Sequence, residues 1–141
     1  MYTCKADVEG LDAADKIAIL SGLAFGGTIN RENIPTQGIS TLNIRDVDYA
    51  NELGYEVKLL AIAEKKGLQV EQRVHPCFVK QDSDISKVDN ELNAIVVNDN
   101  VIGSNIFEGP GAGAGPTGAS VMSDLMDILV FSSASSANLT T

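Results

Sequence analysis

Paired cysteines and any excess of cationic residues are both missing from this chain. Only Cys4 and Cys77 occur among its 141 residues. Two cysteines so placed make neither a metal-ligand spacing nor a disulfide framework, and they read as reduced thiols of a cytoplasmic protein. Lysine and arginine number 10 against 19 aspartates and glutamates, leaving a net charge of -9. Nucleic-acid binding needs clustered cations that displace counterions, and adsorption to an anionic membrane needs the same. The composition therefore excludes both partners. No apolar run reaches membrane-spanning length, and Lys5, Asp7 and Glu9 spoil the pattern of a secretory leader. A strand–G-x-G-x-x-G–helix opening, the fingerprint of a dinucleotide-binding domain, is absent too. No internal repeat is visible.

What is present is enough for one domain with a core. The hydrophobic fraction is 44% and the charged fraction 21%, both ordinary for a globular chain. The spacing of Ala13, Ile17, Leu20 and Ala24 predicts a helix over 12–25, ended by Gly26-Gly27. Residues 30–38 read as a connection. A second helix is expected over 44–53, with Asn43 as N-cap and Gly54 as C-cap. A strand over 55–64, a turn at Lys65-Lys66-Gly67 and a paired strand over 68–79 follow. Residues 82–88 suggest a short polar helix. Strands over 94–97 and 101–107 flank Asn98-Asp99-Asn100, read as a hairpin turn because Asn tolerates positive φ. A last helix is expected from about Pro116. Helices first and a strand meander after them imply an α+β fold. Residues 1–128 form the domain; 129–141 read as a mobile Ser-rich tail without a core-forming pattern.

The densest chemistry lies in Asp7-Val8-Glu9-Gly10-Leu11-Asp12-Ala13-Ala14-Asp15-Lys16. Asp12 and Lys16 are four residues apart, so a helix brings them onto one face. By itself that is an N-terminal carboxylate and a surface ion pair worth a few tenths of a kcal/mol. Asp15 and Glu9 read as solvated carboxylates. Asp7 by itself reads as a solvated loop carboxylate. Cys77 and His75 share a strand face across Pro76, and both read as structural rather than nucleophilic or acid–base residues. The run 109–115, Gly-Pro-Gly-Ala-Gly-Ala-Gly, could be a hinge or a close backbone approach to a ligand ahead of a helix.

The string D-V-x-G-x-D-A-A-D-K-x-A-I-L over 7–20 resembles the entry to the catalytic domain of homoserine dehydrogenases. So do, in order, Glu52-Leu53-Gly54-Tyr55 through Ala63, Arg73-Val74-His75-Pro76, Asn93-Ala94-Ile95, and the glycine run with Ser120 to Asp124. The resemblance covers about 7–128. It implies a mostly antiparallel sheet covered on one face by helices, and a homodimer. It implies interconversion of L-homoserine and L-aspartate 4-semialdehyde with NADP or NAD, in threonine and methionine biosynthesis. Lys16 falls on the family's proton-transfer lysine. Asp12 and Asp7 fall on substrate-binding acids, and Gly111 and Gly113 on the loop beside the cofactor. No metal is implied.

The resemblance is incomplete. The family's upstream glutamate falls on Met1, a second lysine has no counterpart, and the nucleotide-binding domain is not in this sequence. The expectation is a catalytic domain apart from its nucleotide-binding half, as a fragment or split protein, and active only with a nucleotide-binding partner or within a longer product. The alternative is a non-catalytic oligomerisation module retaining a relic site.

Overall fold

The structure, a computed structural model, describes residues 5–27, 30–89, 92–111 and 113–137, the last seven by their backbone only. Cys4, Met1 and Ala112 of the glycine run lie outside the described residues, as do the last four residues of the Ser-rich segment. The chain divides into two compact units, Met1–Ser86 and Lys87–Thr141.

The first unit opens with α1 (Lys5–Val8) and α2 (Leu11–Phe25). A 3-10 turn at Arg31–Asn33 and α3 (Ile44–Glu52) follow. The strands β1 (Tyr55–Lys66) and β2 (Gln69–Lys80) then pair antiparallel from Tyr55↔Lys80 to Lys66↔Gln69. The Asn43 side chain accepts from the Arg45 amide at the start of α3, and Gly54, at φ +80°, follows its end. The hairpin turn is Gly67-Leu68, not Lys65-Lys66-Gly67. Glycine carries the positive φ there, so both lysines stay in the ladder.

Small residues make the core. Ala14, Ala18, Ile34 and Val74 form a buried cluster, with Ala13, Ile17, Leu59 and Ala61 packed around it. α2 thus lies on the hairpin face that carries Leu59, Ala61 and Val74. Its deepest stripe is Ala14, Ala18 and Ser21, about one residue round from the stripe read in the sequence; Ala24 is exposed. Alanines bring the helix backbone close to the strands. Ser21 donates to the Ile17 carbonyl and accepts from Gln72 Nε2 at 2.7 Å, which satisfies a buried hydroxyl and ties α2 to β2. Residues 35–37 run parallel beside β2, with Val74 N–H donating to Pro35 O at 2.9 Å and Gln37 N–H to Val74 O at 2.8 Å. Gly38 is buried against α1, where a Cβ would collide with the Val8 carbonyl.

The second unit comprises β3 (Leu92–Asp99), β4 (Gly103–Pro110) and α4 (Ala114–Ala137). β3 and β4 form their own antiparallel pair, so the expected sheet is two separate hairpins. The short polar helix expected over 82–88 is a 3-10 helix, Asp84–Lys87. The β3–β4 turn lies at 100–102, later than expected. Asp99 accepts from the Val101 and Ile102 amides at 2.7 and 3.1 Å, and Gly103 takes the positive φ in place of an Asn. Helical cover of one face describes the first hairpin. On the second, Ile95, Val96 and Val97 are all exposed, although they alternate between its faces.

From 129, where the sequence reads as a mobile Ser-rich tail, the backbone continues α4 as far as Ala137. Ser and Ala tolerate helix, and neither Gly nor Pro interrupts the segment after Gly118. Pro116 sits in the first turn of α4, where no amide is needed. Among the described residues no helix is long and apolar enough to cross a membrane.

Candidate active site

Gly10 sets the site's entry. It joins α1 to α2 at φ +74°, and a Cβ there would press on Val74, Thr36 and Leu59 at 3.1–3.6 Å. This close junction starts α2 so that Ala14 and Ala18 face the sheet. Asp12 and Lys16, roughly half a revolution away on the helix, face solvent. Lys16 Nζ lies 2.6 Å from Asp12 Oδ2, with the two side chains 54% and 46% exposed. The carboxylate stands in the first turn, where the helix dipole favours it. An ammonium so held keeps donors free for a further oxygen acceptor.

The other sequence-derived candidates are distributed unevenly. Asp7 is exposed on α1, with no side-chain hydrogen bond to the pair among the described residues. Asp15 is not simply solvated: its Oδ1 lies 2.5 Å from Arg31 Nε. Arg31 carries no local motif, and its partner is sixteen residues away, so nothing in the sequence marks it.

Gly111 and Gly113 belong to the second unit and are described there. A Cβ on Gly111 would overlap the Asn93 side-chain amide, so this glycine has a steric reason within the hairpin end. Gly113 has φ +118°, a conformation open to glycine alone, and Gly109 and Gly115 have free space where a Cβ would stand.

Cys77 and His75 do face each other, with Sγ 3.3 Å from Nδ1. Nδ1 also lies 3.0 Å from the Pro76 carbonyl, a contact that requires Nδ1 to carry the proton. It then cannot accept one from the thiol. Burial pushes the Cys77 thiol above its ordinary range, partly offset by the Arg73 charge. The pair is therefore not an activated nucleophile. No cluster of three or more metal-ligating side chains occurs among the described residues.

An open groove of about 960 Å³ runs along β2, lined by Asn30, Thr36, Gln37, Gln72, Arg73 and His75 among others. Neither Asp12 nor Lys16 lines it. The pair stands instead on helix surface, in line with Ile19 and Leu23, which are 64% and 80% exposed.

The chain is 44% identical over 122 residues to a homoserine dehydrogenase of Neisseria gonorrhoeae, covering 86% of this chain and 28% of that protein. It is likewise 44% identical over 130 residues to one of Synechocystis sp., covering 88% and 30%. The crystal structure of a homoserine dehydrogenase from Thiobacillus denitrificans superposes with a TM-score of 0.88 at 41% identity, over 94% of this chain and 31% of that one. The chain thus spans about 30% of the length of these curated relatives. The homoserine dehydrogenase family model matches residues 3–126, nearly the whole sequence, and the chain belongs to that family.

Proposed function

We propose that this chain is the catalytic-domain portion of an NAD(P)-dependent oxidoreductase that interconverts L-homoserine and L-aspartate 4-semialdehyde, serving threonine and methionine biosynthesis in the cytoplasm. The Asp12–Lys16 pair carries the reading, because it stands at the motif positions of the family's substrate acid and proton-transfer lysine. Lys16 Nζ gives a proton to the aldehyde oxygen as that oxygen becomes a hydroxyl, and takes one back in the reverse direction. Asp12 orients Nζ and contacts the substrate; Asp7 meets the substrate amino group. Bound NADP or NAD supplies the hydride acceptor or donor.

The second unit suits only part of such a cofactor. Gly113 and the open backbone at Gly109 and Gly115 allow close approach, whereas the space at Gly111 serves Asn93. Residues 109–123 contain no charged side chain that could grip a pyrophosphate. Most cofactor contacts, and a wall over Lys16, Ile19 and Leu23, then come from a nucleotide-binding domain, in the same longer product or in trans. The chain alone is expected to be inactive.

The exposed apolar residues of the second unit favour a second reading, a non-catalytic oligomerisation module. One assay separates the two. The chain is mixed with a separately produced homoserine dehydrogenase nucleotide-binding domain, and NADPH consumption with L-aspartate 4-semialdehyde is followed. The expected result is turnover by the mixture and by neither part. A mixture that forms a complex without turnover supports the module reading. Turnover by the chain alone contradicts the need for a second domain.

A further inference from the structure

Arg31 opens the 3-10 turn and reaches back to the first turn of α2. Its Nε donates to Asp15 Oδ1 at 2.5 Å, and its Nη2 donates to the Leu11 carbonyl at 3.3 Å. Leu11 and Asp15 form a row four residues apart. At about 100° per residue, that row stands between the buried Ala14–Ala18 row and the solvent-facing Asp12–Lys16 row. The guanidinium therefore straps the shoulder of the helix right beside the pair.

The base of the strap is firm. Ile34 is 4% exposed and packs in the core with Ala14 and Ala18. Asn30 caps the 3-10 turn by accepting from the Glu32 amide at 3.0 Å. The other end needs holding. The first amides of a helix lack intrahelical acceptors and its first turn frays, and here Gly10 supplies no side-chain cap.

We propose that Arg31 is a positioning residue for the Asp12–Lys16 pair: it pins the first turn of α2 to the core-anchored 3-10 turn and so fixes where Asp12 presents its carboxylate and Lys16 its amine. The inference rests on the reading of that pair as the substrate site. A lysine at 31 could meet Asp15 but lacks the planar fork that spans carboxylate and carbonyl together.

The test titrates L-homoserine into the full 141-residue chain mixed with the separately produced nucleotide-binding domain and NADP, and follows the backbone amides of 11–16 by NMR, beside thermal melts. Arg31→Ala is expected to weaken binding about three- to tenfold, Asp15→Ala to do the same, and the double variant to do no more, because coupled residues are non-additive. Arg31→Lys is expected to fall short of wild type. Lys66→Ala removes an exposed ion pair with Glu71, far from α2 in sequence, and is expected to leave affinity unchanged. Unchanged affinity in Arg31→Ala, measured well below its melting midpoint, overturns the inference whatever happens to stability. Additive losses in the double variant overturn it as well. A wild-type chain with no homoserine-dependent shifts at 11–16 instead overturns the assignment of the pair as substrate site, and the inference falls with it.

Discussion

In the proposed reading, Lys16 is free to transfer protons because the core does not need it. Its ammonium lies 2.6 Å from Asp12 on the side of α2 away from Ala14 and Ala18. Half-exposed pairs of this kind contribute at most about 0.5 kcal/mol, whereas a proton-transfer group is worth about 10²–10⁴-fold in rate. In the reconstituted enzyme, Lys16→Ala is expected to lower kcat by about that factor while the melting midpoint stays near wild type. Lys16→Arg is expected to be poor too, since a guanidinium does not release its proton. Near-normal turnover with a much lower melting temperature would make Lys16 a structural ion-pair residue. Cys77 behaves in the opposite sense. Burial raises its thiol, so the unfolded chain ionises first, and the contribution to stability is lost as pH rises past the unfolded value near about 8.5. Alkylation by iodoacetamide at neutral pH is expected to be slower than that of a free thiol; an equal rate would show an accessible thiolate.

Among the elements, the second hairpin has one side chain that bonds its turn amides. Asp99 accepts from the amides of Val101 and Ile102, and these bonds hold its carboxyl below the usual aspartate range. Its contribution is present above the unfolded value of about 3.9 and is lost as pH falls below it. The Val101 and Ile102 amides are therefore expected to lose exchange protection on acidification, and Asp99→Ala to lose it at neutral pH. Protection unchanged at pH 2 would mean that the turn holds by its backbone and Gly103 alone. On α2, the Gly10 junction, the Gln72–Ser21 hydrogen bond and the Arg31 strap each act at a different point along the helix. Together they set its axial position and the direction of its outer stripe.

For the molecule as a whole, exposed apolar surface is the dominant fact. In the second unit Ile106 and Phe107 are 40% and 63% exposed, and Val121, Met122, Leu125, Met126 and Leu129 of α4 are all exposed. Patches of this kind mark association surfaces. Sedimentation equilibrium at high protein concentration is expected to show a dimer, and Phe107→Lys to weaken it without changing the melting of the first unit. A strictly monomeric wild-type chain would remove homodimer formation from the proposal.

The sequence by itself determined whatever depends on neighbours within a turn or two. The extent of α2, the Asn43 cap and Gly54 end of α3, the pairing of β1 with β2, and the meeting of Asp12 with Lys16 all follow from backbone periodicity and turn chemistry. Only the tertiary structure decided the rest. Helical spacing put Ala13, Ile17, Leu20 and Ala24 on the inner stripe of α2, but close approach to β2 placed Ala14, Ala18 and Ser21 deepest, with Ala13 and Ile17 beside them. The reach of Arg31 to Asp15 and the Asn93 amide over Gly111 join residues distant along the chain, and the division of the strands into two hairpins was likewise not written in their spacing. Such contacts depend on how packed elements approach one another in space, a property that local spacing does not encode.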